Sequence, residues 1–317
     1  MKRIPVNIYP VLATAAVFFI LFATASLMFP GFCSLYVVTD LFSENAFLGI
    51  AALGMTLVIL SGGIDLSVGS LIGFTTIFTA RCITDFQLHP LLAWLLAILI
   101  GVAFGALMGT LIVRFKMPPF LVTLGGLFLA RGMAFAVKKE SIQIHHSFYE
   151  TLDNFRLPIA HAELTFPAIL FILLLLRLIW LLHYTPFGRA IYAIGGNEHS
   201  ARLMGLPVDR SLIMVYTLNG LFAAIAGIAM TLYMDSGNPT NALALELDVI
   251  AVVVIGGTLL SGGVGYALGT LLGFLIHTTI YQIPYFANLP ASLGSITIGL
   301  LLLLFILLQR GLSRIRH

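Results

Sequence analysis

Two fifteen-residue segments of this chain, 200 residues apart, are close copies of each other. Residues 60–74 read LSGGIDLSVGSLIGF and residues 260–274 read LSGGVGYALGTLLGF, with eight identical positions. An internal repeat of this kind predicts a fold of two related halves. We expect the first repeat at about 45–137 and the second at about 211–309. The main chemical difference between the copies is Asp65, which aligns with Gly265.

The composition indicates that lipid, rather than water, surrounds most of this chain. Hydrophobic residues make up 60% of it and charged residues 9%, whereas a soluble domain is about 25% charged. Since so few polar side chains cannot cover a water-facing surface, the sequence predicts an all-α membrane protein. We expect one transmembrane domain over 1–317. Internal symmetry within a membrane protein is typical of transporters.

Ten apolar segments approach the ~20 residues that a spanning helix needs. They lie at about 8–29, 45–61, 65–81, 91–113, 119–137, 164–183, 211–233, 247–260, 264–283 and 291–309. We expect the first to be retained rather than cleaved as a signal peptide, because it is long enough to span. The second and eighth are short and end in Ser-Gly-Gly. Short, glycine-interrupted segments at matching positions indicate broken helices.

The distribution of Lys and Arg predicts the orientation of the chain. If ten spans start in the cytoplasm, ten of the sixteen basic residues fall on the inner side, four on the outer side, and Arg131 and Arg177 within spans. An excess of basic residues marks the cytoplasmic side, so we expect both termini there. The polar stretch 138–163 then forms an outer cap, and 184–210 is the largest inner loop.

Small residues at four-residue spacing predict close helix contacts. Glycines four apart share one helix face and let another backbone approach. The two clearest sets are Gly101, Gly105 and Gly109, and Gly265, Gly269 and Gly273. Both cysteines, Cys33 and Cys82, are expected to be small buried fillers.

Asp65 has two readings that the residues alone leave open. An ionisable group inside a span is costly, which suggests a substrate or gating role. A carboxylate at a helix start also caps free N–H groups, which is a structural role. The candidate pathway residues are Asn45, Asp65, Ser67 and Ser261.

Three further polar residues fall inside predicted spans. Arg131 must face a carboxylate, backbone carbonyls or water, or extend to the membrane surface. Asn219, like Asn45, could bind sugar hydroxyls or link helices. His277 is expected to be a satisfied core residue, and no second His or Cys stands at ligand spacing, so we predict no metal site.

The inner loop TPFGRAIYAIGGNEHSARLMGL (185–206) combines charged and small residues. Its residues 200–204 could form a short amphipathic helix ended by Gly205. Such a helix suits the docking of a partner, although the composition alone also fits a solvated loop.

Several motifs, in matching order, resemble the permease subunits of bacterial ribose-type sugar ABC importers. They are ALGMTLVILSGGIDLSVGS, PFLVTLGGLFLARGMA, FGRAIYAIGGN and ELDVIAVVVIGGTLLSGGVG. The run ESIQIHH (140–146), and Val264 where the ribose type usually has Arg, are most similar to the smaller permease of galactofuranose importers.

This resemblance implies a non-catalytic pore subunit in the inner membrane of a bacterium, translocating a monosaccharide. The implied partners are an ABC ATPase, which binds the ATP and Mg²⁺, a periplasmic sugar-binding protein and a second permease subunit. No cofactor or nucleic acid is expected on this chain. The resemblance also implies that loop 188–206 couples to the ATPase, through Arg189, Asn197, Glu198, His199, Arg202 and Gly205. The alternative is a sugar–proton symporter with Asp65 or Arg131 as its ionic switch.

Overall fold

A computed structural model describes residues 9–290 and 292–314, which form helices joined by short connections and four short strands. In chain order the elements are α1 (Tyr9–Met28), α2 (Leu35–Glu44), α3 (Ala46–Leu60), α4 (Val68–Thr84), α5 (Pro90–Arg114), α6 (Pro119–Val137), β1 (Ile142–Gln143), α7 (Ser147–Asp153), β2 (Arg156–Ile159), β3 (Ala162–Thr165), α8 (Phe166–Tyr184), α9 (Pro186–Gly196), α10 (Glu198–Leu203), α11 (Val208–Met234), β4 (Ser236–Gly237), α12 (Leu245–Ile255), α13 (Ala267–Phe286) and α14 (Ser292–Arg314).

Each of the ten predicted apolar segments coincides with a helix, namely α1, α3 to α6, α8 and α11 to α14. Within the described residues, α1, α5, α6, α8 and α11 are long and apolar enough to cross a membrane. The pair α2 and α3 makes a sixth if it is one span bent by 63°. The chain is therefore a helical membrane protein, while ten crossings, cytoplasmic termini and the extent of each repeat stay predictions.

The centre of the molecule is α3. All of its residues except Phe47 are buried, as expected for a helix that is apolar on every side. The long helix α11 packs against α3, α4 and α5, and α12 also lies against α3. The two short helices that lead into the Ser-Gly-Gly turns are thus direct neighbours.

Glycines allow α5 and α11 to touch backbone to backbone. A Cβ on Gly105 would overlap the carbonyl oxygen of Tyr216. A Cβ on Gly101 would lie 2.7 Å from the carbonyl oxygen of Gly220, and one on Gly109 would lie 3.0 Å from the Cα of Ile213. The first predicted glycine set therefore lies at this helix contact.

The second glycine set is only partly on a helix, which corrects the prediction. Gly269 and Gly273 face α12, and a Cβ on Gly273 would lie 3.0 Å from the Cα of Gly256. Gly265 precedes the start of α13 and packs against Thr258 instead. Its spacing of four residues is therefore not a helical spacing.

The helix predicted at 247–260 ends earlier, at Ile255. Gly256 and Gly257 stop it, because Gly257 has a φ of +89°, which favours glycine. A Cβ on Gly256 would overlap the carbonyl oxygen of Gly269. The close approach of α13 thus requires the glycine that also ends α12.

The structure contains two small strand pairs on its loops, which the predicted all-α fold did not include. β1 pairs with β4, and β2 pairs with β3, both antiparallel. Helix α7 lies between them and buries Tyr149, whose hydroxyl accepts a hydrogen bond from Trp94 at 3.0 Å and lies 3.0 Å from the Thr231 hydroxyl. Burial raises the pKa of Tyr149 to about 12.

The two cysteines differ in their exposure. Cys82 is buried, as expected, whereas Cys33 is exposed in the turn between α1 and α2. In this turn the neighbouring Phe32 takes the inward position, with no exposed surface. Cys33 is therefore not a core filler.

Candidate functional site

The inner loop folds into two short helices with clear capping. The Thr185 hydroxyl accepts a hydrogen bond from the Gly188 amide at 3.1 Å and starts α9. The Asn197 side chain accepts one from the Ser200 amide at 2.8 Å and starts α10. Gly205, with a φ of +76°, follows the end of α10. The predicted helix at 200–204 thus begins two residues earlier, at Glu198, and ends at Leu203.

α10 presents a small apolar face to the solvent. Its Ala201 is fully buried in a cluster with Ala190, Ile194 and Val208. On the other side, Leu203 is 76% exposed, and Met204 just after the helix is 67% exposed. Large apolar side chains exposed at the tip of a well-anchored helix are typical of a surface that docks a partner.

Charged groups surround this tip. Arg202 pairs with Glu198 at 3.0 Å and with Asp209 at 2.5 Å. The hydrogen bonds that Arg202 donates to the carboxylates, first of Asp209 and then of Glu198, raise the pKa of Arg202. Arg189 and His199 are exposed on α9 and α10. The residues predicted for coupling therefore lie on α9, on α10 and in the turns next to them.

The two Ser-Gly-Gly turns and the end of α9 meet at one point, which we call the glycine junction. It consists of Gly62 and Gly63, Gly262 and Gly263, and Gly195 and Gly196. The Gly263 amide donates a hydrogen bond to the Leu60 carbonyl at 2.9 Å, which joins the two repeats. A Cβ on Gly262 would lie 2.7 Å from the Gly62 nitrogen and 3.0 Å from the Gly195 Cα.

The glycine junction leaves no room for side chains at its centre. A Cβ on Gly195 would overlap the carbonyl oxygen of Leu60 and lie 2.5 Å from the nitrogen of Gly263. The helix before α10 therefore touches both repeats through main-chain atoms. A displacement of α10 and α9 would act directly on the ends of the two turns.

A cavity of about 680 Å³ opens beside the junction. It is lined by the turn 61–63, by 116–119 between α5 and α6, and by Glu198, Arg202 and Tyr216, among others. The cavity therefore lies between α10 and the first Ser-Gly-Gly turn.

Asp65 lies in a closed hydrogen-bond network next to this turn. It is 3% exposed. Its Oδ1 accepts hydrogen bonds from the amide and hydroxyl of Ser67, at 2.8 and 2.6 Å, and its Oδ2 accepts one from the Asn219 amide group at 2.8 Å. Asp65 thus supports the turn before α4 and ties it to α11.

The four predicted pathway residues do not come together. Asp65 and Ser67 hydrogen-bond to each other and are buried. Ser261 is exposed in the second turn. Asn45 lies at the opposite end of α3, in the bend after α2, where its side chain bonds the Leu41 carbonyl at 3.4 Å. The four residues therefore do not form one site, and their role in a pathway stays a prediction.

Arg131 is bound by backbone carbonyls, one of the partners that the sequence analysis required. Its guanidinium donates to Pro239 at 2.5 Å, Asn241 at 2.9 Å and Ala242 at 3.3 Å. It thereby holds the connection between β4 and α12 against α6.

His277 is buried, but it is less satisfied than expected. Its ring nitrogens make no hydrogen bond, and Nε2 lies 3.4 Å from the Asp248 carboxylate. Among the described residues, no group of three or more His, Cys, Asp or Glu side chains could hold a metal ion.

Tyr216 and the pair Gly195–Gly196 are part of the site but were not predicted from the sequence. Tyr216 is 1% exposed, lines the cavity and crowds Gly63. Its position three residues before Asn219 on a predicted helix was a usable signal. Gly195–Gly196 repeats the Gly-Gly dipeptide of both Ser-Gly-Gly turns. No local pattern indicates that these three dipeptides contact each other.

Comparison with known proteins gives a consistent result. Residues 37–306 match the family model described as branched-chain amino acid transport system / permease component. The chain is 46% identical to the inner membrane ABC transporter permease protein YjfF of Escherichia coli, over 96% of this chain and 92% of that protein. It is 36% identical to the fructose import permease protein FruG of Bifidobacterium longum, over 96% and 92%. It is 37% identical to the ribose import permease protein RbsC of Bacillus subtilis, over 93% and 91%. No solved structure matches the chain significantly.

Proposed function

Because this chain belongs to the family of ABC transporter permease components, we propose that it is the pore subunit of an ATP-driven importer of a monosaccharide. Members of this family are transport subunits, so the chain is a non-catalytic, multi-pass protein of the inner membrane, as predicted. The family description mentions branched-chain amino acids. However, two relatives whose alignment covers more than nine-tenths of this chain are named for fructose and ribose import. These relatives support a sugar.

The specific sugar that we propose is galactofuranose. The support is the run 140–146 and Val264, which are similar to the permeases of galactofuranose importers. Uptake of labelled galactofuranose, ribose, fructose and leucine by cells with and without this gene tests the choice. We expect gene-dependent uptake of galactofuranose. Gene-dependent uptake of leucine alone would overturn the assignment to sugars.

The proposed partners follow from the same assignment. A separate ATPase, which binds ATP and Mg²⁺, docks on α10, a periplasmic sugar-binding protein delivers the sugar at the outer face, and a second permease subunit completes the pore. The observation that carries the docking site is that Leu203 at the end of α10 and Met204 just after it are exposed, while Ala201 on the other face is buried. ATP-driven movement of the ATPase would reach both repeats through the glycine junction.

Substituting the docking tip tests this proposal. We expect Leu203→Asp combined with Met204→Asp to abolish co-purification of the ATPase and sugar uptake, because charges replace the apolar contact. Leu243→Asp is the matched control, since Leu243 is 73% exposed but lies in the connection between β4 and α12. This variant should keep the ATPase bound. Retention of the ATPase by the double variant would refute docking at α10.

The sugar–proton symporter makes a different prediction. Its two candidate switches, Asp65 and Arg131, each sit in a fixed set of hydrogen bonds. We expect uptake to stop when cells are depleted of ATP and to continue when an uncoupler removes the proton gradient. The reverse result would favour the symporter.

A further inference from the structure

Arg177 is a charged residue on the exposed side of an apolar helix. It lies within α8, and its side chain is exposed. Leu173 and Leu176, also on α8, are each 57% exposed. Among the described residues no carboxylate pairs with Arg177, and its guanidinium contacts the ring of Trp180, 4.1 Å from the centroid. This face of α8 therefore carries a positive charge that the described part of the chain does not neutralise.

The position of Arg177 along α8 places its charge near the membrane surface. The helix ends at Tyr184, so the Arg177 Cα lies about 10 Å from that end at 1.5 Å per residue. The Arg177 guanidinium contacts the ring of Trp180, which lies three residues nearer this end. Trp180 and Tyr184 are 48% and 73% exposed. Exposed Trp and Tyr side chains prefer the depth of the lipid headgroups, and long basic side chains reach toward it.

We propose that Arg177 and Trp180 form a binding site for the phosphate of an anionic phospholipid. The lipid lies in the leaflet on the side of α9 and α10, because α8 ends there. A guanidinium matches phosphate in charge and geometry, and an anionic headgroup such as phosphatidylglycerol has no positive group of its own to compete with it. Arg189, exposed at the start of α9, adds a second positive charge near the same surface. This site is independent of the proposed transport of a sugar.

The two tryptophans of the chain provide the measurement. In the variant Trp94→Phe, Trp180 is the sole tryptophan, and brominated lipids quench its fluorescence on contact. The whole protein is reconstituted in vesicles of dioleoylphosphatidylcholine that contain increasing amounts of brominated dioleoylphosphatidylglycerol. In a second series, increasing amounts of brominated dioleoylphosphatidylcholine are added to dioleoylphosphatidylglycerol. We expect phosphatidylglycerol to be preferred about fivefold, which is the ~1 kcal/mol that a basic residue contributes at an anionic membrane surface.

The same experiment with substitutions decides the role of Arg177. Arg177→Gln should abolish the preference, while Arg156→Gln, in the β2–β3 hairpin, should retain it. A preference that survives Arg177→Gln, or no preference in the parent protein, would overturn the proposal. If the assembled transporter protects Trp180 from both lipids, the face is a subunit contact instead and the proposal is wrong.

Discussion

At the scale of single residues, the clearest feature is the network of Asp65, Ser67 and Asn219. Three donors satisfy the carboxylate, while the Asn219 side-chain oxygen has no hydrogen-bond partner. Because of this free oxygen, Asn219 can turn its amide group around and still pair with an amide at position 65. The contact between positions 65 and 219 therefore requires one acceptor and one donor, and either position can supply either of them.

This reasoning predicts a swap experiment. We expect Asp65→Asn to keep sugar uptake, and Asn219→Asp to destabilise the protein by on the order of 3 kcal/mol, because it buries an uncompensated charge. The double variant Asp65→Asn with Asn219→Asp should regain most of that loss. Thermal unfolding in detergent and the amount of protein in membranes provide the measurements. A swap variant as unstable as Asn219→Asp would show that the carboxylate is needed at position 65 itself.

Asp65 also shows what the sequence can predict about a residue. Its place just before an apolar segment predicted that it caps the helix, but the N-cap residue of α4 is Ser67 and Asp65 accepts its hydrogen bonds from Ser67. Those hydrogen bonds are local. The partner on α11 is 154 positions away, and no local pattern specifies it. Whether the carboxylate faces a pathway depended on that distant contact, so the sequence left two readings open.

At the scale of elements, the contact between α5 and α11 depends on glycine. Main-chain atoms of the two helices come into direct contact at these glycines, and such close packing stabilises helix pairs in lipid. The spacing of Gly101, Gly105 and Gly109 was visible in the sequence. The end of α12 was harder to predict, since hydropathy continues past Ile255 while Gly256 and Gly257 stop the helix.

We therefore expect Gly105→Ala to destabilise the protein by about 1–3 kcal/mol, the usual cost of overpacking. Gly132→Ala is the matched control, because a Cβ there meets no atom within 4 Å. This control should be neutral or stabilise the protein by up to about 1 kcal/mol, since alanine favours helix more than glycine. Thermal unfolding of both variants in the same detergent is the test. Equal stability of the two would mean that the α5–α11 contact adapts without strain.

At the scale of the whole molecule, the glycine junction connects the two repeats with the segment that we propose couples to the ATPase. The duplicated sequence predicted two halves, and it pointed to the Ser-Gly-Gly turns. It did not predict that the turns contact each other, or that α9 inserts Gly195 between them. Such contacts arise from the packing of three distant segments, which periodicity does not encode.

Two adjacent glycines test the importance of this contact. Gly195→Ala places a methyl group against the Leu60 carbonyl, whereas Gly196→Ala meets open space. In vesicles containing the complete transporter we expect Gly195→Ala to reduce sugar uptake about tenfold, a change of ~1.4 kcal/mol, while ATP hydrolysis continues. Gly196→Ala should transport normally. Normal uptake by Gly195→Ala, at equal protein level, would exclude a coupling role for the junction.

Because the central contact of the glycine junction, Gly263 to Leu60, is made by main-chain atoms, its strength does not depend on the chemistry of any side chain. Residues that recognise a cargo can therefore diverge during evolution, or be redesigned, without altering this contact. A scaffold of this kind separates the choice of nutrient from the means of moving it.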